Sequence, residues 1–414
     1  MSASASSLPA KTDIVVAGAG YVGLATAIAI TDAAPGISVT VVDAAPDGTW
    51  RKDERASALS ASAVRMLTRL DIWGEIRDDA QPITEMIITD SRTSDPVRPV
   101  FLTFGGETRP GEPFAQMASN IVLNGALRDK AAALGIGIFS GTPVSGMTVG
   151  DAGVTVKLGG GGAIDAKLLV ACDGVKSRVR DWAGIRTVHW DYGQSGIVAT
   201  VKHERPHNGR AEEHFLPSGP FAILPLVGNR SSLVWTESTH TAERLVAADE
   251  LVFEAELEQR FGHKLGALTL EGGRRAFPLG LTLAREFVRP RVALAGDAAH
   301  GIHPIAGQGL NLGLKDAAAL AETVVEAARL GLDIGALDVL ETYQRWRRFD
   351  TFSMGATTDA LNRLFSNESG MLRSVRDFGL SLVDRAPSLK SFFIAQASGI
   401  TSAPSPRLLQ GDPI

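Results

Sequence analysis

Three short stretches combine glycines, acids and histidines at spacings that can do chemistry: GAGYVG at 18–23, DGVKSRVR at 173–180 and GDAAHGIHPIAGQGLNLGLKDA at 296–317. In the first, Gly18, Gly20 and Gly23 form G-x-G-x-x-G. The first glycine permits a tight turn, the second lets a pyrophosphate approach the backbone, and the third lets a helix pack on the preceding strand. The helix N-terminus adds partial positive charge. Asp43 follows where a ribose-binding carboxylate belongs; it would accept from ribose hydroxyls and repel a 2′-phosphate. The glycines alone are a weak signal, but an apolar strand before them, a small-residue helix after them and the acid together predict a dinucleotide site. NAD and FAD share this motif, so it does not choose between them.

In the third stretch, His300 and His303 stand at i and i+3, a spacing that could serve two metal ligands on a helix. Pro304 breaks the helical spacing at once, and no nearby carboxylate or cysteine completes a ligand set. The histidines read better as pocket residues, with His303 a candidate for proton transfer. Asp173-Gly174 and Gly296-Asp297 each follow an apolar strand. An aspartate at such a strand end can accept from a polyol chain while the adjacent glycine keeps the backbone close to the ligand.

The elements that must position these residues are legible in outline. DIVVAGAGYVGLATAIAI reads as buried strand, glycine turn and helix, and SVTVVDA as the second strand of a βαβ unit. The apolar run from Ile14 to Ile30 is slightly short for a membrane span, and its glycines have another use. Apolar residues between Ala56 and Ile76 recur at helical spacing, and Leu123–Leu134 predicts another helix. GIGIF, GVTVKL, a GGGG turn and AIDAKLLVACDG predict a hairpin or meander returning to a buried strand. From about Arg186 to Arg285, alternation and the Gly228-Asn229 turn predict an antiparallel sheet interrupted by one helix near Ala248–Phe261. Most of Trp190, Tyr192, Phe215, Phe221 and Trp235 should be core there. Beyond about Ala336 the chain reads as helical to Ala397, with a loose end.

With 414 residues, two domains are expected, since single cores stop growing near ~250–300 residues. A hydrophobic fraction of 44%, a charged fraction of 21% and 44 glycines suit a soluble enzyme with many tight turns. A formal charge of −5 gives no reason to expect nucleic acid. The single cysteine, Cys172, excludes an internal disulfide and a cysteine-based zinc site, and suits a reducing compartment, the cytoplasm by default.

Together, GAGYVG, DGVKSRVR and the histidine-glycine stretch resemble the single-component FAD-dependent aromatic hydroxylases, and the last string resembles their ubiquinone-biosynthesis branch. The resemblance runs from Asp13 to about Arg407. It implies an α/β fold: an FAD-binding Rossmann-like domain of the glutathione-reductase type, with an inserted antiparallel β-sheet substrate domain and a helical C-terminus. The expected boundaries are a disordered leader at 1–12, an FAD domain at 13–80, 115–185 and 286–345, a β-sheet substrate domain at 81–114 and 186–285, and a C-terminal helical region at 346–414.

Residue by residue, the resemblance implies FAD contacts at Gly18, Gly20, Gly23, Asp43, Arg55, Asn120, Asp173, Asp297, Gly307, Gly309, Leu310 and Asn311, and candidate catalytic roles for His303 and Pro304. Arg55 falls where the family has an arginine near the flavin phosphates, Asn120 where it has a polar flavin contact, and Asp297 where it holds the ribityl chain. Ser119 departs from the glutamate that usually precedes that asparagine. Pro304, Gly307 and Gly309 suit backbone lying flat against an isoalloxazine ring, and a helix starting near Leu310 and Asn311 would aim its amides at the ring.

The implied chemistry is reduction of FAD by NAD(P)H or a redox partner, addition of O2 as a C4a-hydroperoxide, and hydroxylation of a hydrophobic phenol. The implied partners are O2, that substrate and a ubiquinone-biosynthesis complex, with peripheral contact at the inner face of the membrane. Two other readings stay open: a hydroxylase of another aromatic compound, and a flavin-bound assembly subunit with little activity. A halogenase is disfavoured because W-x-W-x-I-P is absent after the glycine motif.

Overall fold

A computed structural model of the chain describes residues 7–90, 100–303, 307–365 and 405–414. At its centre the β-branched runs Ile14–Ala17 and Val39–Val42 lie side by side, every residue buried. Strands buried on both faces need parallel neighbours reached by crossovers. The sheet has six strands in the order Gly137–Phe139, Val39–Val42, Ile14–Ala17, Leu168–Ala171, Val292–Leu294 and Val288–Arg289. The first five are parallel and the last is an antiparallel edge. Helices Tyr21–Ala33 and Gln308–Arg329 pack together against this sheet. Alanines and glycines on their shared face permit the close approach, and Ala317–Leu320 are completely buried.

The second large element is an eight-stranded sheet that roofs the first. Its order is His300–Gly301, Leu268–Ala284, Thr187–His203, Arg230–Ser238, Gly219–Leu226, Arg210–Leu216, Glu85–Asp90 and Val100–Gly105. Six of the seven neighbouring pairs are antiparallel; only Arg210–Leu216 and Glu85–Asp90 run parallel. Phe221, Trp235 and Phe253 form the aromatic centre of a separate core on its far side. Phe215 is buried as expected, but Trp190 and Tyr192 are not core: both donate at 3.0 Å to Asp359 on helix Leu337–Phe365.

Several expectations are corrected by tertiary pairing. The helix read over Ala56–Ile76 begins only at Ala61, because Ala56–Ser60 pairs with Ala115–Ser119 and Ser60 then caps helix Ala61–Arg69. The single helix near Ala248–Phe261 is two, Thr239–Ala247 and Glu250–Phe261, with Asp249 capping the second. Gly137–Phe139 joins the parallel sheet, and the meander is instead Val144–Val149, Val154–Leu158 and Ala163–Ala166. Residues 1–6 of the expected leader lie outside the described residues, but Lys11 bridges to Asp165 and Thr12 is buried, so the ordered chain starts before Asp13. Of the C-terminal region, 366–404 lie outside the described residues. The final segment is docked rather than loose: Leu408 and Leu409 are buried and Arg407 pairs with Glu322. Among the described residues no helix is long and apolar enough to cross a membrane.

Candidate active site

A cavity of about 530 Å³ lies at the carboxyl ends of Ile14–Ala17, Leu168–Ala171 and Val292–Leu294, between the parallel sheet and the roof. Open α/β sheets bind ligands at such strand ends. Its floor is made by the loops that follow these strands: Gly20–Gly23, Gly174, Ala295–Asp297 and Gly307–Asn311. One side carries Arg55, Ser57 and Asn120; the roof wall is mainly apolar, with Met86, Phe104, Leu224, Val234 and Phe277.

Two of the three glycines of the first motif are required by close backbone approach. A Cβ on Gly18 would stand 2.2 Å from the Cys172 carbonyl oxygen, and one on Gly23 would stand 2.0 Å from that of Gly18. Gly18 also takes φ +113°, which an L side chain rarely adopts. At Gly20 and Gly309, by contrast, a Cβ would meet no protein atom within 4 Å. Both positions line the cavity, so a side chain at either would reach into its open space. Helices Tyr21–Ala33, Asn120–Ala133 and Gln308–Arg329 all begin on this wall without a side-chain cap. The Asn120 N–H is taken by the Arg55 carbonyl at 2.9 Å, while the start of Tyr21–Ala33 suits an anion or a carbonyl oxygen. Helices Arg178–Trp182, Thr239–Ala247 and Glu250–Phe261 satisfy one amide each with Ser177, Ser238 and Asp249. These features fit a dinucleotide with a flat ring at one end.

Asp43 sits at the end of its strand beside the glycine turn, accepting from Ala19 N–H at 2.5 Å and Ala45 N–H at 2.6 Å. It does not line the cavity. Asp53, which sequence reasoning did not single out, organises the neighbouring side. It accepts from Tyr21 Oη (2.9 Å), Asn120 Nδ2 (3.0 Å) and both Arg55 Nε and a terminal nitrogen (2.6 and 2.9 Å). Burial opposes its charge, yet the bonds from Arg55, Asn120 and Tyr21 prevail and bring its pKa down to about 2. Arg55 is thereby fixed over the Phe277 ring, 5.0 Å from its centroid. The only local signal for Asp53 was an acid two residues before the arginine already chosen.

The DG and GD loops are tied together from behind. Asp173 Oδ2 accepts from the backbone of Arg178 and Val179 at 3.0 and 3.3 Å, so its side chain caps a helix while Gly174 lines the cavity. Buried Arg180 donates at 3.0 Å to the carbonyls of both Val175 and Ala298, one from each loop. Asp297 opens onto the cavity but is otherwise enclosed by protein; burial raises its pKa against the pull of His300 and Arg55.

Beneath Asp297 lies a buried charge network that the sequence did not reveal. Asp316 Oδ2 accepts from Gly296 N–H (2.9 Å) and His300 Nε2 (2.5 Å), and its Oδ1 from Arg347 Nε (2.7 Å). Arg347 also reaches Asp350 at 2.8 Å, and Lys315 lies 3.6 Å from Asp350. Burial disfavours the Asp316 carboxylate, but His300 and Arg347 more than compensate, so its pKa is lowered. His300 is therefore a buried support for the Gly296-Asp297 turn, with its ring 6.2 Å from that of Phe287.

His303 lines the cavity, fully buried, with its ring edge-on to Tyr192 at 5.4 Å between centroids. Pro304 lies outside the described residues. Gly307 adopts φ +62°, and helix Gln308–Arg329 starts two residues before the expected Leu310. The Asn311 side chain is committed to protein: it accepts from Ser60 N–H (2.8 Å) and donates to the Ala58 and Gly307 carbonyls (2.9 and 3.1 Å). It braces the strand Ala56–Ser60 against the helix start.

The family model described as FAD binding domain matches residues 11–349. The chain is 41% identical over 408 residues to the Rhodospirillum rubrum protein named ubiquinone hydroxylase UbiL, covering 97% of this chain and 93% of that one. It is 34% identical over 399 residues to 3-demethoxyubiquinol 3-hydroxylase of Escherichia coli, covering 94% and 99%. Among solved structures, p-nitrophenol 4-monooxygenase from Pseudomonas putida shares the fold, with a TM-score of 0.75 at 20% identity over 93% of this chain and 97% of that one. A dinucleotide floor, three uncapped helix starts and these likenesses over nearly the whole length agree: the chain belongs to the FAD-dependent aromatic hydroxylases, in the branch of the ubiquinone-biosynthesis hydroxylases.

Proposed function

We propose that this chain is an FAD-dependent monooxygenase that hydroxylates the aromatic ring of a prenylated phenol in ubiquinone biosynthesis. The observation that carries the reading is a single cavity with two chemistries, a floor of glycine turns and uncapped helix starts facing a mainly apolar roof. The likeness to ubiquinone hydroxylases supplies the substrate class. Bound FAD supplies the redox and oxygen chemistry that no side chain here provides.

In this reading Gly18 and Gly23 shape the turn, and Gly20 with the first amides of Tyr21–Ala33 holds the pyrophosphate. Asp43 takes the ribose hydroxyls, and Arg55, held by Asp53, offsets phosphate charge. Asn120 and Asp297 hold the flavin and its ribityl chain, while Asp173 stabilises the DG turn. Gly307 and Gly309 let the backbone lie against the ring, and the N-terminal end of helix Gln308–Arg329 favours negative charge at its edge. The roof excludes water from the reacting ring. Electrons come from NAD(P)H or a redox partner. The FAD unit comprises 13–80, 115–185 and 286–345, and the roof supplies the substrate unit. A prenylated phenol is sparingly soluble, which favours delivery within a biosynthetic complex or at the inner face of the membrane in the cytoplasm.

The test is twofold. The purified protein should be yellow, and protein that is colourless and cannot be reconstituted with FAD overturns the assignment. Deleting the gene should accumulate a quinone precursor lacking one ring oxygen, identified by mass spectrometry. No accumulation rejects the quinone branch, and rescue by a variant unable to hold FAD identifies an assembly role instead.

A further inference from the structure

We infer that His303 and Thr236 are the polar clamp that holds the oxygen substituents of the substrate ring, an inference that rests on the function proposed above. Both line the cavity, and both are buried, His303 completely and Thr236 nearly so. Among the described residues, neither ring nitrogen of His303 nor Oγ1 of Thr236 has a hydrogen-bond partner. Buried polar atoms are almost always paired, and an orphan calls for an explanation such as a missing ligand. Other polar side chains on the same wall show how thoroughly such groups are satisfied elsewhere. Asn311 makes three bonds to backbone, and Asn120 bonds both Asp53 and Ser57.

The two orphans are also held in place. The Thr236 methyl is wedged against Gly219, where a Cβ would stand 2.4 Å from Cγ2, so packing fixes its rotamer. The His303 ring meets the edge of Tyr192, which Asp359 anchors at 3.0 Å. Their position points to substrate rather than cofactor. Thr236 belongs to the roof strand Arg230–Ser238, and His303 follows the edge strand His300–Gly301, where roof and floor meet.

The chemistry of the pair defines what it takes. Burial keeps the imidazole neutral, with its pKa lowered to about 4, so it offers one acceptor and one donor. It can accept a hydrogen bond from a phenolic O–H. The threonine hydroxyl can donate to a second ring oxygen, a hydroxyl or a methoxy group. A site that presents buried hydrogen-bonding groups rejects analogues lacking the matching atom, because its own groups are then left unpaired.

The FAD-loaded protein, His303→Phe and Thr236→Val should be titrated with 2-methoxy-6-prenylphenol and with its O-methyl ether, reading the flavin absorbance change. The wild type should prefer the phenol. His303→Phe should abolish that preference, and each variant should weaken phenol binding roughly tenfold, the effect of losing one hydrogen bond. FAD occupancy should stay unchanged, and the cofactor-free variants should melt no lower than wild type, since each loses an unpaired buried group. Reduced FAD occupancy with unchanged phenol affinity, or a lowered melting temperature without cofactor, overturns the clamp. If the loaded wild type binds the probes and both variants bind them equally well, the clamp alone falls. If the wild type binds neither probe, the proposed function falls with it.

Discussion

Asp316→Asn is the sharpest probe of the buried charge network. The substitution keeps an oxygen able to accept from Gly296 N–H and His300, but removes the charge facing Arg347 at 2.7 Å. Arg347 and Lys315 face the carboxylates of Asp316 and Asp350, and His300 also lies against Asp316. After the change one buried positive charge is uncompensated, and breaking a buried pair in this way costs about 3–5 kcal/mol. At about 2 °C per kcal/mol for a large domain, the melting temperature of the cofactor-free protein should fall by about 6–10 °C in calorimetry. Arg347→Met added to Asp316→Asn should recover most of that loss, because the stranded cation is gone and Asp350 still has Lys315. A single variant that melts within about 1 °C of wild type, against a predicted drop several times larger, refutes the network's structural weight. A double variant that melts lower than the single one refutes the charge-balance argument.

Three further outcomes are expected. Gly309→Leu should lower bound flavin per protein with no loss of stability in the cofactor-free state, since its Cβ meets no protein atom within 4 Å; His300→Ala should do the reverse, lowering the melting temperature through Asp316. Absorbance at the flavin band and thermal melts separate the two, and the opposite ranking counts against the site. His303 has its pKa lowered from 6.5 to about 4 by burial, so below pH 6.5 the unfolded chain binds a proton that the folded chain refuses. Stability should therefore fall as pH drops from 6.5 toward 4, by roughly 2 kcal/mol at pH 5, and His303→Phe should remove that part of the slope in denaturant titrations at pH 7.5 and 5. An unchanged slope rejects the assignment. Deleting 405–414 should destabilise the protein by roughly 3–5 kcal/mol, the worth of burying two leucines, Leu408 and Leu409. A truncated chain with a wild-type denaturation midpoint shows that the docking carries no weight.

What could be read from the residues alone was whatever local pattern controls. Gly18, Gly20 and Gly23 announce their roles because a turn, a ligand approach and a helix contact each forbid a side chain for a reason that acts over a few residues. The buried strands Ile14–Ala17 and Leu168–Ala171 are visible as apolar runs beside glycine. What was missed depends on partners distant in the chain. Ala56–Ser60 carries a helical pattern, yet its backbone pairs with Ala115–Ser119. Asp316 and Arg347 lie on different helices, and nothing around either predicts their meeting. Asn311 lines the cavity, and that its side-chain amide spans the gap to Ala58 and Ser60 is not marked by any local pattern. Asp53 carries no local pattern of its own, although it is what orients Arg55.

The order of strands in the parallel sheet also bears on how the protein is made. Ile14–Ala17 emerges early, but its neighbour Leu168–Ala171 lies about 150 residues further along the chain, and Val292–Leu294 later still. At ordinary synthesis rates of about 5–20 residues per second, the first apolar strand waits roughly 8–30 s for that side to be covered. The floor of the cavity waits longer, since the Gly296 N–H is held by Asp316, which Arg347 in turn pairs. Completion of the cofactor floor thus comes late in synthesis, and until then the half-built sheet leaves apolar surface and an unpaired edge exposed.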